Sequence, residues 1–151
     1  MTKRKIVFVR HAEYDPTTDD ISLTDNGRHQ ARETGAALAK TGMQGALVIS
    51  SAANRARQTA EEITSQVDGS GPHISEELWF KSMAPSSIED LDGFLVELAM
   101  EAGEDDPSKP LVAVAHAELL SALPANIKTL ADIAFCETVE YTPGTWVRPT
   151  K

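Results

Sequence analysis

The stretch Ile6-Val7-Phe8-Val9-Arg10-His11 decides the fold, because four apolar residues run directly into a charged pair. Such a short run of β-branched and aromatic residues predicts a buried strand. Leu111-Val112-Ala113-Val114-Ala115-His116 repeats the arrangement late in the chain. Carboxyl ends of parallel strands meet at one edge of a sheet, where ligands bind. The two histidines are therefore predicted to face each other across one site.

Helix-like and strand-like segments alternate between these two stretches. Apolar and small residues at helical spacing predict helices over about 25–40 and 53–67, with a strand at Leu47-Val48-Ile49 between them. Thr24 is the expected N-cap of the first helix, and Ser51 or Asn54 that of the second. Asp68-Gly69-Ser70-Gly71-Pro72 predicts a turn, followed by a short strand over 73–75.

The second half of the chain continues the alternation. A capping-box pattern at Ser86-Ser87-Ile88-Glu89 predicts the start of another helix. A short helix is expected over about 118–123, and a hairpin over 138–147 with Pro143-Gly144 in its turn. These elements predict one domain over 1–151, an α/β/α sandwich of three layers with a mainly parallel central sheet and helices on both faces.

Composition limits the classes of function. The chain has 151 residues and a net charge of -9, which disfavours binding to nucleic acid or to anionic membranes. Its apolar runs are shorter than the roughly 20 residues of a membrane helix, and the one near the N-terminus is too short for a signal peptide. The single cysteine, Cys136, excludes an internal disulfide and fits a cytoplasmic protein; in its apolar context it is expected to fill core space. Nothing in the sequence predicts the oligomeric state.

A local cluster of cations is expected on this acidic chain. Successive residues of a helix turn by about 100°, so Arg55 and Arg57 point nearly opposite ways and one of them can reach over the sheet edge. The helix N-terminus adds N–H groups and positive potential. Arg10, Arg55 and the histidines His11 and His116 would then form a compact cationic pocket. Such a pocket suits a phosphoryl group, because the forked donors of arginine match phosphate oxygens.

Four ordered motifs carry a family resemblance. They are Arg10-His11-Ala12, Leu23-Thr24-x-x-Gly27-x-x-Gln30-Ala31, Ser51-x-x-x-Arg55-Ala56-x-Gln58-Thr59-Ala60 and Val114-Ala115-His116-Ala117. Together they resemble the histidine phosphatase (phosphoglycerate mutase-like) superfamily. The resemblance implies that His11 is the nucleophile and becomes phosphohistidine, while Arg10, Arg55 and His116 bind the phosphoryl oxygens. It implies neither a metal nor another cofactor, and the histidines lack metal-ligand spacing.

The chain departs from the family pattern at several positions. Ala12 and Ala117 stand where the family has glycines, and Thr17 stands where it has a phosphate-contacting asparagine. If the glycine positions require a positive φ, alanine costs about 1 kcal/mol or more. If they require only a small side chain beside phosphate, alanine is tolerated. We favour the second interpretation, because Arg-His-Ala resembles the small SixA-like branch of the family.

The catalytic acid of larger relatives is also replaced. Its Leu-x-Glu context is Leu78-Trp79-Phe80 here, which leaves Glu76, Glu77 and Glu118 as the nearby candidates. A proton donor typically accelerates departure of an alcohol by 10²–10⁴-fold, whereas a phosphoramidate nitrogen needs less help. The stretch between Ser75 and Leu111 is too short for a cap insertion, which predicts an open site.

Three hypotheses follow for the function. The leading one is a metal-independent phosphatase that acts on phosphohistidine in a partner protein. The second is a phosphomonoesterase for a small phosphorylated metabolite, with one of the three glutamates as acid. The third, from a different class, is a module that binds phosphorylated ligands without turnover, and the two alanines of the glycine positions are its only support.

Overall fold

The computed structural model describes residues 5–17, 21–75, 78, 88–104, 109–116, 136 and 138–141. Its elements are β1 (Ile6–Arg10), α1 (Asp25–Ala39), β2 (Leu47–Ser50), α2 (Asn54–Val67), β3 (Ser70–Ile74), α3 (Ile88–Glu101), β4 (Leu111–Ala115) and β5 (Thr138–Tyr141). The first residues of the predicted capping box, the predicted helix near 118–123 and the second half of the predicted hairpin lie outside the described residues.

The strands form one sheet in the order β3-β2-β4-β1-β5. β3, β2, β4 and β1 are parallel neighbours, and β5 runs antiparallel to β1 at one edge. Arg10 lies opposite Ala115, and Ser50 lies opposite Val114. The residues that follow β1, β2 and β4 therefore leave the sheet together, as the mainly parallel arrangement predicted from the sequence requires.

Side chains alternate along each strand and divide the core between the two faces of the sheet. Ile6 and Phe8 of β1 pack with Leu95 and Leu98 of α3 on one face. On the other face, the buried side chains of β1, β2 and β4 pack with those of α1 and α2; the set includes Val7, Val9, Leu38, Val48, Ala56, Ala60, Ile63, Val112 and Val114. The predicted α/β/α sandwich of three layers is confirmed.

The predicted turn at 68–72 is wrong in extent, because β3 already begins at Ser70. Asp68, with φ of 53°, and Gly69 make the turn alone. The pairing of β2 with β3 shifts between Leu47 and Ile49, so two β3 residues, Gly71 and Pro72, lie against one residue of β2. An edge strand with a bulge accommodates proline, which lacks the N–H that a central strand needs.

The N-cap of α2 is Ala53, and the prediction of Ser51 or Asn54 is wrong. Both side chains have other partners. Ser51 is hydrogen-bonded to His116, and Asn54 accepts a hydrogen bond from Arg57. By contrast, Thr24 caps α1 as predicted, since its hydroxyl accepts from the N–H of Gly27.

Gly27 generates the first prediction, because a Cβ at this position would lie 2.0 Å from the carbonyl oxygen of Glu13. Gly27→Ala should therefore lower the free energy of unfolding by about 1–3 kcal/mol in urea denaturation followed by circular dichroism. Gly93→Ala is the matched control, because Gly93 lies in α3 with nothing within 4 Å of a new Cβ. It should raise the same quantity by about 0.5–1 kcal/mol. Equal effects of the two substitutions would contradict the close contact at Gly27.

Candidate active site

His11 and His116 lie side by side at the carboxyl edge of the sheet. Each follows one of two adjacent parallel strands, and the N–H of His11 donates to the carbonyl of Ala115 at 3.0 Å. Their ring centroids are 5.1 Å apart, and the exposed fractions of the two residues are only 4% and 2%. The two histidines that the sequence predicts to face each other at the ends of two strands are therefore in contact in the structure.

The orientation of the His11 ring determines which nitrogen can react. Nδ1 lies 3.0 Å from the carbonyl oxygen of Ala12. A carbonyl only accepts hydrogen bonds, so this contact assigns the hydrogen of the neutral ring to Nδ1. The lone pair of the neutral imidazole then lies on Nε2, the nitrogen that the Ala12 contact leaves for chemistry.

His116 is held by a buried serine. Its Nε2 lies 2.8 Å from the hydroxyl oxygen of Ser51, which is itself fully buried. Burial lowers the pKa of His116 to about 3, with further lowering by the charges of His11, Arg55 and Arg10. His116 is therefore neutral at pH 7 and hydrogen-bonds rather than carries charge. The three charges that act on His116 are those of the other predicted site residues, and Arg10 directly precedes His11 in the chain.

Arg55 and Arg57 point away from each other, as the helical spacing predicts. The Cζ atom of Arg55 lies 5.1 Å from the ring centroid of Tyr14. Arg57 instead donates to Asn54 and pairs with Glu61 along the outer side of α2. Arg55 is thus the arginine of this pair that belongs to the site.

Tyr14 is the site residue that sequence reasoning missed. Its ring meets the ring of His11 edge to face, with centroids 5.2 Å apart and planes at 76°. The side chain also packs against the small buried cluster that contains Ala12 and Leu23. The available signal was its position, three residues after His11 in the loop that follows β1.

The family motif at the start of α1 holds the loop that follows His11. The hydroxyl of Thr24 donates to the Glu13 carboxylate at 2.7 Å, while its backbone N–H donates to the Glu13 carbonyl. The side-chain oxygen of Gln30 accepts from the N–H of Glu13 at 3.0 Å. Gly27 allows this close approach, because any side chain would collide with Glu13.

The motif on α2 holds the same loop from the other side. The hydroxyl of Thr59 accepts from the N–H of Ala12 at 2.9 Å and donates to the carbonyl of Arg55 at 2.7 Å. The side-chain oxygen of Gln58 accepts from the N–H of Leu23 at 2.8 Å. Thr59 thus joins the backbone beside His11 to the backbone of Arg55.

Ala12 decides between the two interpretations of the missing glycines. It is fully buried, and it is not among the residues with positive φ. The position therefore needs a small side chain rather than a left-handed backbone, as we favoured. Ala117, the second such position, lies outside the described residues.

Cys136 contributes its backbone to the site. Its N–H donates to the carbonyl of Arg10 at 3.0 Å, with a longer contact to that of His11 at 3.4 Å. The thiol is buried, as predicted for core filler, and burial raises its pKa to about 11. A thiol with such a raised pKa is a poor nucleophile at pH 7.

Four further residues were predicted for the site, and none of them is among the contacts of His11, His116, Arg55 and Tyr14 given above. Thr17 is exposed, and its hydroxyl and its N–H both donate to the carboxylate of Asp15, which lowers the pKa of Asp15. Its phosphate contact stays a prediction. The candidate acids Glu76, Glu77 and Glu118 lie outside the described residues.

Within the described ranges, no helix has the length and apolarity to cross a membrane.

Known proteins are similar to this chain in sequence and in fold. The sequence profile of the histidine phosphatase superfamily (branch 1) matches residues 6–79, from β1 through the segment after β3. The mitochondrial serine/threonine-protein phosphatase Pgam5 of Drosophila grimshawi is 35% identical over 85 residues, which cover 54% of this chain and 29% of that protein. The corresponding protein of Drosophila virilis is 41% identical over 68 residues, 43% of this chain and 24% of that protein. The chain thus spans less than a third of the length of these curated relatives.

Solved structures extend the likeness of fold over most of the chain. The protein histidine phosphatase SixA complexed with tungstate has a TM-score of 0.66 at 21% identity, over 90% of this chain and 86% of that one. A mycobacterial glucosyl-3-phosphoglycerate phosphatase with VO3 has a TM-score of 0.65 at 20% identity, over 91% and 90%. The matched profile over residues 6–79, the ordered motifs and the shared fold agree on one class, and the chain is similar to the histidine phosphatase superfamily.

Thr59 generates a prediction about the loop. Thr59→Val keeps the shape of the side chain but leaves the buried N–H of Ala12 without its acceptor, which should cost about 1–3 kcal/mol of stability. Thr64→Val is the control, because the hydroxyl of Thr64 makes the same bond to the carbonyl four residues earlier. Urea denaturation should show a clearly larger loss for Thr59→Val. Equal losses would mean that the Ala12 contact contributes nothing.

The low pKa of His116 generates a prediction about acid stability. In the unfolded chain the pKa of His116 is its ordinary 6.5, whereas in the folded chain burial lowers this pKa to about 3. Neutral His116 therefore makes its full contribution to the free energy of unfolding above pH 6.5. This contribution is lost as the pH falls toward 3, by about 1 kcal/mol per pH unit. Denaturation of wild type and His116→Gln between pH 7 and 4 measures this difference. Parallel stability curves would show that His116 titrates normally.

Proposed function

We propose that the chain is a phosphatase that transfers a phosphoryl group to Nε2 of His11 and then to water. The observation that carries the proposal is the contact of His11 Nδ1 with the Ala12 carbonyl, because it leaves the lone pair of a neutral ring on Nε2. An imidazole attacks phosphorus only through such a lone pair. The supporting cations lie around the same ring.

Arg10 and Arg55 supply the positive charge. Arg10 directly precedes His11 in the chain, and the Cζ atom of Arg55 lies 5.1 Å from the ring centroid of Tyr14, which contacts the His11 ring. The charges of both arginines lower the pKa of His116. Arginine forks stabilise the charge that spreads over the equatorial oxygens of a transferring phosphoryl group. The N-terminal end of α2, whose first turn has no acidic residue, adds positive potential beside Arg55.

The reaction has two steps. Nε2 of His11 forms a bond to phosphorus as the bond to the leaving group breaks, and the leaving group takes up a proton. Water then attacks phosphorus, the bond to Nε2 breaks, and orthophosphate leaves with the histidine restored. His116 is neutral and is held in place by Ser51. We infer that it forms a hydrogen bond with a phosphoryl oxygen and adds no positive charge to the site.

We propose phosphohistidine in a partner protein as the substrate. Leu78, in the segment where larger relatives carry their acid, is fully buried in the core against α3. Phe80, two residues later in the sequence, stands where larger relatives have the acid, so the matched position has no carboxylate. A phosphoramidate leaving group takes up its proton more readily than an alkoxide and so depends less on a dedicated acid. Likeness to SixA, described as a protein histidine phosphatase, supports the same choice.

The binding-module hypothesis loses part of its support. It depended on the two alanines at family glycine positions, and Ala12 occupies its position without positive φ. The metabolite hypothesis stays as the enzymatic alternative, because the mycobacterial relative in fold is described as a glucosyl-3-phosphoglycerate phosphatase. Substrate choice distinguishes it from the leading proposal.

The decisive experiment measures phosphate release from a phosphohistidine-bearing protein and from a panel of phosphate esters. Wild type should release phosphate from phosphohistidine, and His11→Ala should abolish the release because no nitrogen nucleophile is left. Rapid quenching should trap an acid-labile phosphoryl group on wild type and not on the variant. Preference for an ester would favour the metabolite alternative. Phosphate binding without any release would favour the binding module.

Arg55 and Arg57 form a matched pair for a second test of the site. Arg55→Ala should lower kcat/KM by about 10²–10³-fold, because it removes a donor for the charge of the transition state. Arg57→Ala should change it less than threefold, because Arg57 pairs with Glu61 on the outer surface of α2. Steady-state kinetics of the two variants measure both values. Similar losses would contradict the placement of Arg55 in the site.

A further inference from the structure

Tyr14 contacts two groups of the site with one ring. Its edge-to-face contact with His11 has a centroid distance of 5.2 Å, and the Cζ atom of Arg55 lies 5.1 Å from its centroid. His11 follows β1, whereas Arg55 belongs to the first turn of α2. One aromatic ring thus connects groups that two separate elements carry.

The backbone of Tyr14 is anchored on both sides. Tyr14 forms an antiparallel bridge with Leu23, and the N–H of Asp15 donates to the carbonyl of Ser22 at 2.9 Å. Its side chain packs against the cluster of Ala12, Leu23, Ala31 and Cys136. A tyrosine side chain has only two χ angles, so little entropy is lost when such packing orders it. The ring is therefore a rigid surface in the otherwise polar loop.

A rigid ring can order a flexible arginine. A free arginine side chain has many rotamers, and anion binding must otherwise overcome the entropy of fixing one of them. The negative face of an aromatic ring attracts a guanidinium, and planar stacking restricts the orientation of its fork. Preorganised donors stabilise developing charge without reorganisation during the reaction. The contact with His11 restricts rotation of the imidazole in the same way.

We propose that Tyr14 is a positioning residue that orients the Arg55 guanidinium and the His11 imidazole toward one phosphoryl group. The kinetic part of this proposal rests on the proposed phosphatase function, whereas its binding part does not. The aromatic ring, rather than the hydroxyl, performs the role. Tyr14→Phe should therefore retain function, and loss of the ring should weaken both phosphate binding and turnover.

Inorganic phosphate is the probe for binding, measured by titration calorimetry. Tyr14→Leu should weaken binding by about 3- to 30-fold, the range expected when a cation–π contact is lost. In an Arg55→Ala background the same substitution should weaken binding by a clearly smaller factor, because the cation–π partner is absent and only the contact with His11 remains. Tyr14→Phe should stay within about threefold of wild type. A merely structural role would instead weaken binding equally in both backgrounds.

Pentafluorophenylalanine at position 14 keeps the proposal testable if Tyr14→Leu fails to fold. This residue fills nearly the same space as phenylalanine but reverses the charge distribution of the ring face. It should therefore weaken phosphate binding relative to Tyr14→Phe by about 3- to 30-fold, as expected for Tyr14→Leu. Circular dichroism and thermal unfolding verify that the two variants are equally folded. Equal affinity in the two would overturn the role of the ring.

Kinetics separate failure of this proposal from failure of the phosphatase proposal. Tyr14→Leu should lower kcat/KM on phosphohistidine protein by about 10- to 100-fold, since nucleophile and phosphate donor are both misoriented. His11-dependent release that Tyr14→Leu leaves unchanged would overturn the role of Tyr14 alone. Absence of release by wild type, with phosphate binding still dependent on the ring, would overturn the phosphatase proposal and leave the positioning role standing.

Discussion

Parallel pairing of β1 with β4 is the constraint on which the site depends. It places Arg10 opposite Ala115, so the next residues, His11 and His116, leave the sheet together. β2 pairs with the other side of β4, and the residue that follows it, Ser51, reaches the ring of His116. Parallel strands have their carboxyl ends on the same edge, which makes three separate stretches of sequence meet at one place.

Much of the family motif positions the backbone rather than performing chemistry. Thr24, Gln30, Gln58 and Thr59 all bond to backbone groups in the loop that follows β1. Small residues, Gly27 among them, permit the close packing that these bonds need. An N–H group that loses its acceptor costs free energy, so the side chains of Gln30, Gln58 and Thr59, which accept from such groups, stabilise one conformation of the loop.

The electrostatics of the site follow from burial beside like charges. The chain has a net charge of -9, yet Arg10, Arg55 and His11 lie together around His116. A buried imidazole among cations loses its proton far below the usual pKa, because both the missing solvent and the neighbouring charges disfavour the charged form. Such a pocket has an excess of hydrogen-bond donors and positive charge, which suits a ligand with negative charge and acceptor oxygens, such as a phosphoryl group.

Local patterns predicted the elements well because they depend on neighbouring residues. Apolar periodicity predicted the layers, and the spacing of Arg55 and Arg57 predicted which could enter the site, since helix geometry is the same everywhere. The N-cap of α2 was predicted wrongly because the partner of Ser51 is His116, far along the chain. Sequence-based capping rules assume that a polar side chain serves its own helix.

The sequence by itself predicted the candidate site residues, because Arg10, His11, Arg55 and His116 stand at positions that strand and helix periods place at one edge. Only the tertiary structure decided how they act. The nitrogen of the neutral His11 ring that carries the lone pair depends on the direction of the Ala12 carbonyl, and the neutrality of His116 depends on burial among charges from distant parts of the sequence. The place of Tyr14 between His11 and Arg55 depends on the packing of a loop against a helix. Ring orientation, burial and packing each depend on distances between parts of the chain that are far apart in the sequence, and local sequence patterns do not give those distances.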